Sequence, residues 1–344
     1  MGKTILQALL FLLFAISSAE TANFTLEQKF AHANAGDFIV TAQEGNYSLL
    51  FIHSITTDKL ILEEISIPEH LIDLKKIDWK KWVAGKAPGH TSWTLYEIDR
   101  NSGKLIECFS HSKNGWLYLD ESEQFLTRLL TLQLHTVPEK ERKKIGPPPT
   151  QNEEDRRALW NPPLIIDGHK TPKPSFDVLK TEWPDDGSRL SRCFIELYFT
   201  KEDPDFPFPY WLEVQSSHYT FKMRTIDSGH HLTSPLFGPM PHRSPQILGM
   251  VRKGVEHWTL SIKTPVYAQK LHLFARDLYS QPKTTTPVPF FAQKGAGREE
   301  MILEIAIADL SKILKEEHRY QWILIPEGGP DIYVESEEIF TWQP

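Results

Sequence analysis

The chain has 344 residues, of which 24% are charged, and its formal net charge is -7 at pH 7. This length is sufficient for two domains that each bury a core. The mild acidic balance argues against a nucleic-acid partner, because proteins bind nucleic acids through a basic surface.

The first 22 residues have the pattern of a cleaved signal peptide. Lys3 provides a positive start, and an apolar run follows from Ile5 to Ile16. Small residues at Ala19 and Ala22 then stand at cleavage spacing. This apolar run is shorter than the roughly 18 to 20 residues that span a bilayer. We expect export to the periplasm or beyond the cell, with no stable transmembrane segment after cleavage; the alternative is an uncleaved anchor.

Residues 23–136 predict an α+β domain of antiparallel strands with two helices. Turns such as those at Asn46 and Gly103 contain residues that adopt positive φ readily. One predicted helix follows a capping box from Ser66 to Glu69, and the other covers about 122–135. The six predicted strands are DFIVTAQ, YSLLFIHSI, LILEEISI, SWTLYEID, KLIECFS and GWLYLDE.

Residues 137–175 differ in composition and predict a linker. A charge run from Glu139 to Lys144 precedes Pro147–Pro149, and further prolines follow up to Pro174. Consecutive prolines favour an extended, semi-rigid connection. Apolar residues such as Trp160 indicate that this linker lies against the flanking domains, because such side chains avoid water.

Residues 176–344 predict a β-sandwich of immunoglobulin-like or jelly-roll type. Many short strands separated by turns rich in Pro, Gly and Asp are typical of such folds. Strand character occurs in FDVLKTEW, CFIELYFT, HWTLSIKT, AQKLHLFARD, MILEIAIA, YQWILIP and DIYVESEEIF, and in the two arms of a hairpin after residue 210.

The second arm of this hairpin has a clear period of two. Tyr219, Phe221 and Met223 alternate with Lys222 and Arg224. Successive side chains leave opposite faces of a strand. We therefore expect the first three residues to face the core and the two basic residues to face solvent.

Two aromatic residues at the start of the hairpin are candidate ligand-binding residues. Tyr210 and Trp211 have rings that can stack on a sugar or clamp a peptide. Burial against a neighbouring domain is the simpler explanation of such rings, and we favour it.

A group of histidines with one acid is the second candidate ligand site. It consists of His218, Asp227, His230, His231 and His242. Imidazole and carboxylate are good zinc ligands, but the tight H-x-H and H-E-x-x-H spacings are absent. We expect solvated histidines and no bound metal.

Other motifs do not form a catalytic set. The sequence contains no G-x-S-x-G elbow, and its S-x-x-K matches at Ser110 and Ser280 lack the partner motifs. The acidic loops Asp185–Gly187 and Glu202–Asp205 have oxygen ligands for calcium, but solvated turns explain them better. We therefore predict no catalytic residues and no cofactor.

The two cysteines, Cys108 and Cys193, predict buried free thiols. Cys193 shares a strand face with Ile195 and Leu197, and a buried cysteine mostly behaves as a small apolar residue. A dyad of Cys108 with His111 is excluded, because residues three apart in a strand lie on opposite faces.

These observations favour an exported, non-enzymatic protein that binds an unknown protein or carbohydrate ligand. The absence of a connected catalytic set in the sequence motivates this hypothesis. Two alternatives remain: a secreted hydrolase of polysaccharide or peptide with acids or histidines near Asp227 to His242, and a structural component of the cell envelope.

Overall fold

The structure, a computed structural model, describes residues 24–117, 125–150, 154–216, 220–236, 238–265, 268, 270–297, 299–327 and 332–344. Strands make up 45% and helices 10%, so the predicted mostly β fold is confirmed. The predicted signal peptide, residues 1–22, lies outside the described residues. Within the described ranges, no helix has the length and apolar character needed to cross a membrane.

The described chain consists of short strands with a few short helices. Helices α1 to α4 are Leu26–Phe30, Trp79–Ala84, Phe125–Thr131 and Ile307–Ile313, and 3-10 helices lie at Glu69–Leu71 and Glu139–Glu141. Strands β1 to β21 are Phe38–Gln43, Asn46–Ile55, Lys59–Pro68, Ser92–Asp99, Leu105–Ser110, Gly115–Trp116, His135–Thr136, Ile165–Ile166, His169–Lys170, Phe176–Glu182, Phe194–Thr200, Trp211–Gln215, Thr220–Gly229, Gln246–Lys253, His257–Lys263, Lys270–Asp277, Thr284–Pro287, Phe291–Lys294, Glu300–Ala306, Arg319–Glu327 and Val334–Thr341.

The described residues form two compact units. The first contains residues 24–236 apart from 106–109 and 115–117. The second contains these two segments together with residues 238–344. The division therefore does not fall at the predicted linker.

The chain on both sides of the predicted linker contributes to one sheet. Strands β1 and β13 pair antiparallel, with Phe38 opposite Gly229. The intervening segment is packed: Leu164 is 0% exposed, and the Arg142 guanidinium donates to the carbonyl oxygen of Phe176 at 3.1 Å. Pairing between strands so distant in sequence leaves no local signal, which is why composition alone suggested a boundary at this segment.

The sheet of the first unit has a core on each of its faces. Its strand order is β4-β3-β2-β1-β13-β12-β11-β10-β7. Alternate side chains leave opposite faces. On one face, α1 and α3 pack on a core that includes Ile39 and Leu62. On the other face, α2 packs on a core that includes Val40 and Ile65.

The second unit is a β-sandwich, as predicted for the C-terminal part of the chain. Its sheets have the orders β14-β15-β19-β18 and β17-β16-β20-β21. Leu260 and Leu303 from the first sheet and Leu273 and Trp322 from the second belong to one core. The sandwich begins after residue 237, because the strands from Phe176 to Gly229 belong to the sheet of the first unit.

The predicted hairpin is present and has the predicted facing. Strands β12 and β13 pair, with Leu212 opposite Met223. Phe221 and Met223 pack on the core of the first unit, whereas Lys222 and Arg224 are exposed. Tyr219, the first residue of the predicted inward set, lies outside the described residues.

The prediction of a helix that begins directly after Ser66 is wrong in its bounds. Strand β3 continues to Pro68, because its residues up to Ser66 pair with β4, and only one 3-10 turn follows. The predicted helix was to run through Leu71 and Leu74, but these residues are 53% and 45% exposed and do not form a buried helical stripe. Helix α2 begins later, after Asp78, whose side chain accepts the backbone N–H of Lys81.

Candidate functional site

The two candidate aromatic residues belong to the interior of the first unit. Tyr210 is 1% exposed, and its hydroxyl lies 2.8 Å from Ser228 Oγ. Trp211 is half-buried and packs edge-to-face on Trp160, with ring centroids 5.0 Å apart. Burial raises the pKa of the Tyr210 hydroxyl. These rings stabilise the fold and are not free to stack on a ligand.

His230 lies between two carboxylates, and its side chain remains 37% exposed. Its Nδ1 lies 2.6 Å from Asp37 Oδ1 and its Nε2 lies 3.0 Å from Asp203 Oδ2. Asp37 is buried, at 1% exposed, and therefore needs a partner. The neighbouring His231 is exposed and has a φ of 61°, as expected for a turn.

His218 and His242 are the other histidines of the predicted group. His242 belongs to the second unit, and His218 lies outside the described residues. Next to His242, the Arg243 guanidinium is held by Glu107 at 2.8 Å and Glu299 at 2.9 Å. Among the described residues, no group of three or more His, Cys, Asp or Glu side chains could hold a metal ion.

Asp227 anchors a tight turn. Its Oδ1 accepts the backbone N–H groups of Gly168 and Ser228 at 3.0 and 2.9 Å. Asp167 and Gly168 form the β8–β9 turn with positive φ, which an Asp-Gly pair adopts readily. Burial of the carboxyl raises the pKa of Asp227. The adjacent Asp167 is paired with Lys80 at 2.8 Å, so the charges beside this turn already have partners.

The other candidate groups have structural roles. Cys108 and Cys193 are buried thiols, as predicted. In the acidic loop Asp185–Gly187, the Asp186 carboxylate accepts the N–H of Ser188 and the indole N–H of Trp183. These hydrogen bonds within the loop are typical of a turn.

The sequence did not indicate a cavity that the structure shows in the first unit. A cavity of about 360 Å³ lies between one face of the sheet and helices α1 and α3. Its wall consists mostly of carbon. The apolar lining includes Leu26, Phe30, Ile39, Leu50, Leu129 and Phe208.

One carboxylate lies on this largely apolar wall. Glu64 Oε1 accepts the hydroxyl of Ser48 at 2.6 Å, and Oε2 accepts the hydroxyl of Tyr96 at 2.8 Å. All three residues line the cavity, as do Thr41 and Gln43. The cavity thus combines an apolar body with a polar group of fixed orientation.

Strand register explains how these polar groups converge. Ser48 is opposite Thr41 across the β1–β2 pair, and Glu64 is opposite Leu50 across the β2–β3 pair. Tyr96 is opposite Leu62, two residues before Glu64 on the same face. The available sequence signal was the interruption of the apolar strand LILEEISI by two acids, but the pattern alone did not show which acid faces a cavity.

Comparison with known proteins adds a family similarity for part of the chain. Residues 48–172 match the family described as CT021 protein. A structure of the hypothetical protein CT021 from Chlamydia trachomatis, at 2.0 Å resolution, is 19% identical in sequence. The alignment covers 64% of this chain and 100% of that chain, with a TM-score of 0.44. No curated protein matches the chain. The chain is therefore similar, over part of its length, to a family whose description gives no activity.

Proposed function

We propose that this chain is an exported, non-enzymatic protein that binds a small apolar ligand in the cavity of its first unit. The observation that carries this proposal is the largely apolar wall of the cavity between the sheet and helices α1 and α3. Its volume, about 360 Å³, lies within the range of about 300 to 1,000 Å³ that is typical of small-molecule sites.

The physical reason for binding is the removal of apolar surface from water. Leu50, Leu129 and Phe208 contribute carbon to the cavity wall. An apolar ligand that enters this space loses its contact with water, and the transfer is favourable in proportion to the area that is buried. A few fixed polar groups in such a pocket orient the ligand.

The export part of the proposal depends on the sequence of residues 1–22. Lys3, the apolar run and the small residues at Ala19 and Ala22 support a cleaved signal peptide. N-terminal sequencing of the exported protein tests this part. A first residue between Glu20 and Phe24 is expected, and retention of Met1 would contradict it.

A fluorescent neutral probe, N-phenyl-1-naphthylamine, tests the cavity. We expect saturable binding of one probe molecule per wild-type chain. Met223→Trp fills the cavity, because Met223 lines it, and should abolish probe binding. Lys222→Trp is the matched control, because its side chain leaves the other face of the same strand and is exposed.

Equal probe binding by both variants, or no saturable binding by the wild type, would contradict the cavity proposal. Circular dichroism verifies that each variant is folded. If Met223→Trp does not fold, Leu50→Phe provides a second, smaller way to reduce the volume at another position of the wall.

The alternative is a secreted hydrolase with acids or histidines near Asp227 to His242, and His230 is one candidate for its base. Both ring nitrogens of His230 lie within 3.0 Å of a carboxylate, Asp37 or Asp203. Neither nitrogen is then open to take a proton from a substrate or from water. Hydrolysis of a polysaccharide or peptide that is lost in His230→Ala would favour the hydrolase.

A further inference from the structure

The Glu64 carboxylate allows the apolar cavity to select its ligand by the charge of the head group. We infer, building on the proposed binding function, that the ligand is an amphiphile with a cationic ammonium head and a hydrocarbon tail. The ammonium lies against the Glu64 carboxylate, and the tail lies along the apolar wall. The same site disfavours a ligand that has a carboxylate head.

The first step of the argument is the charge of the cavity wall. The partners of Glu64 are the hydroxyls of Ser48 and Tyr96, at 2.6 and 2.8 Å, and both are neutral. Among the described residues, no lysine, arginine or histidine forms an ion pair with Glu64. This contrasts with the buried carboxylate of Glu97, which is paired with Lys59 at 2.6 Å.

The second step is the hydrogen-bonding capacity that remains. Each oxygen of an ionised carboxylate accepts about two hydrogen bonds. Ser48 occupies one position on Oε1 and Tyr96 occupies one on Oε2, so each oxygen can accept another. An ammonium group has three donors and no acceptor, so it can fill the remaining acceptor positions of the carboxylate. Its positive charge also complements the negative charge of Glu64.

The third step is the distribution of polar and apolar residues along the strands. Thr41 and Ser48 are paired on the side of the β1–β2 turn, and Ile39, Leu50 and Glu64 are aligned one step farther from the turn. The polar end of the wall is therefore at the turn, and Glu64 lies at its border with the apolar part. A single-chain amphiphile fits this arrangement, with its head at Glu64 and its tail among the apolar side chains of the sheet, α1 and α3.

The fourth step is the exclusion of anions. A carboxylate head at the same position would lie beside Glu64, and like charges at short range in a partly desolvated site repel strongly. Specificity of this kind arises from the repulsive contact as much as from the attractive one. A neutral alcohol head is expected to bind with intermediate affinity.

Three ligands with the same tail test the inference: dodecylamine, dodecanol and dodecanoate, each used below its micelle concentration. Their displacement of N-phenyl-1-naphthylamine gives relative affinities at a pH where the amine is cationic. For the wild type we expect dodecylamine to bind at least about tenfold more tightly than dodecanoate. Glu64→Gln should reduce this ratio to within about threefold.

Glu44→Gln is the matched control, because Glu44 is exposed in the β1–β2 turn near the polar end of the cavity. It should keep the wild-type ratio. A wild-type ratio near one, or a ratio that is unchanged in Glu64→Gln, would overturn the head-group inference. If Glu64→Gln does not fold, the salt dependence of the wild-type ratio decides, because a charge contact weakens as salt increases.

The failure of the inference is distinguishable from the failure of the proposed function. Tight binding of all three ligands with no head preference leaves the apolar cavity as a binding site and removes only the role of Glu64. No displacement by any of them, together with no saturable probe binding, rejects the binding function itself.

Discussion

Glu63 and Glu64 are consecutive in β3, but their carboxylates lie on opposite faces of the sheet. Glu64 lines the cavity and bonds to Ser48 and Tyr96. Glu63 is 0% exposed and accepts the indole N–H of Trp93 at 2.5 Å. The strand alternation thus gives two identical side chains different environments: one is a buried structural anchor and the other is a group on a cavity wall.

Glu63→Gln should destabilise the first unit much more than Glu64→Gln. The Glu63 carboxylate also lies 2.8 Å from His53 Nδ1 and accepts the hydroxyl of Ser234 at 3.0 Å. An amide group places a donor where these partners donate, so we expect a loss of about 2 to 3 kcal/mol in the free energy of unfolding. For Glu64→Gln we expect less than about 1 kcal/mol. Urea denaturation measures both, and similar losses would contradict the assignment of faces.

Phe221→Ala should destabilise the protein, whereas Lys222→Ala should not. Phe221 is half-buried and packs on the core of the first unit, so its truncation should cost about 1 to 3 kcal/mol. Lys222 is exposed, and its truncation should change stability by about 0.5 kcal/mol at most. Thermal and urea denaturation of the two variants are the measurements; equal stability would place Phe221 on the solvent face.

His230→Ala and His231→Ala should differ, although the two residues are adjacent. Loss of His230 leaves the buried carboxylate of Asp37 without one of its partners, and we expect a cost of about 1 to 2 kcal/mol. His231 is exposed, and its replacement should cost about 0.5 kcal/mol at most. The free energy of unfolding from urea titrations distinguishes them, and a neutral His230→Ala would show that the Asp37 contact contributes little.

The pKa of Asp227 predicts a pH dependence of stability. Burial raises this pKa above its ordinary value of 3.8. Between the two pKa values the folded protein binds more protons at this carboxyl than the unfolded chain does. The contribution of Asp227 to stability therefore falls as pH rises through that window.

Asp227→Asn should remove this part of the pH dependence, because an amide oxygen can still accept the N–H groups of Gly168 and Ser228. Urea denaturation at several pH values from about pH 4 to about pH 7 compares the two proteins. The stability of the variant relative to wild type should increase with pH. A difference that stays constant across the series would show that the carboxyl titrates as it does in the unfolded chain.

A fragment that begins at the end of the predicted linker should not fold. A chain of residues 176–344 lacks β1, the antiparallel partner of β13. It also lacks 106–109 and 115–117, which belong to the second unit. We expect an aggregated or unfolded product without a cooperative thermal transition, whereas residues 24–344 should unfold cooperatively. A soluble fragment with a sharp transition would show that the linker separates independent domains.

Local patterns in the sequence determined the strands and the direction of their side chains. The period of two predicted that Phe221 faces a core and Lys222 faces solvent, and the structure confirms both. The same reasoning predicted that Cys108 and Cys193 are buried thiols. These features depend on residues that are close in sequence, because the pleat of a strand fixes which side chains share a face.

Only the tertiary structure decided which strands pair and which polar groups meet. Strand β13 belongs to the first unit, which ends before residue 238, and it pairs there with β1. The contact of His230 with Asp37 joins residues 193 positions apart. The cavity at Glu64 requires helices α1 and α3 to lie over the same face of the sheet. A period of two specifies which side chains share a face of a strand. The groups that these side chains meet are set by long-range packing. This packing distinguishes a fully buried carboxylate such as that of Glu63 from one on a cavity wall such as that of Glu64.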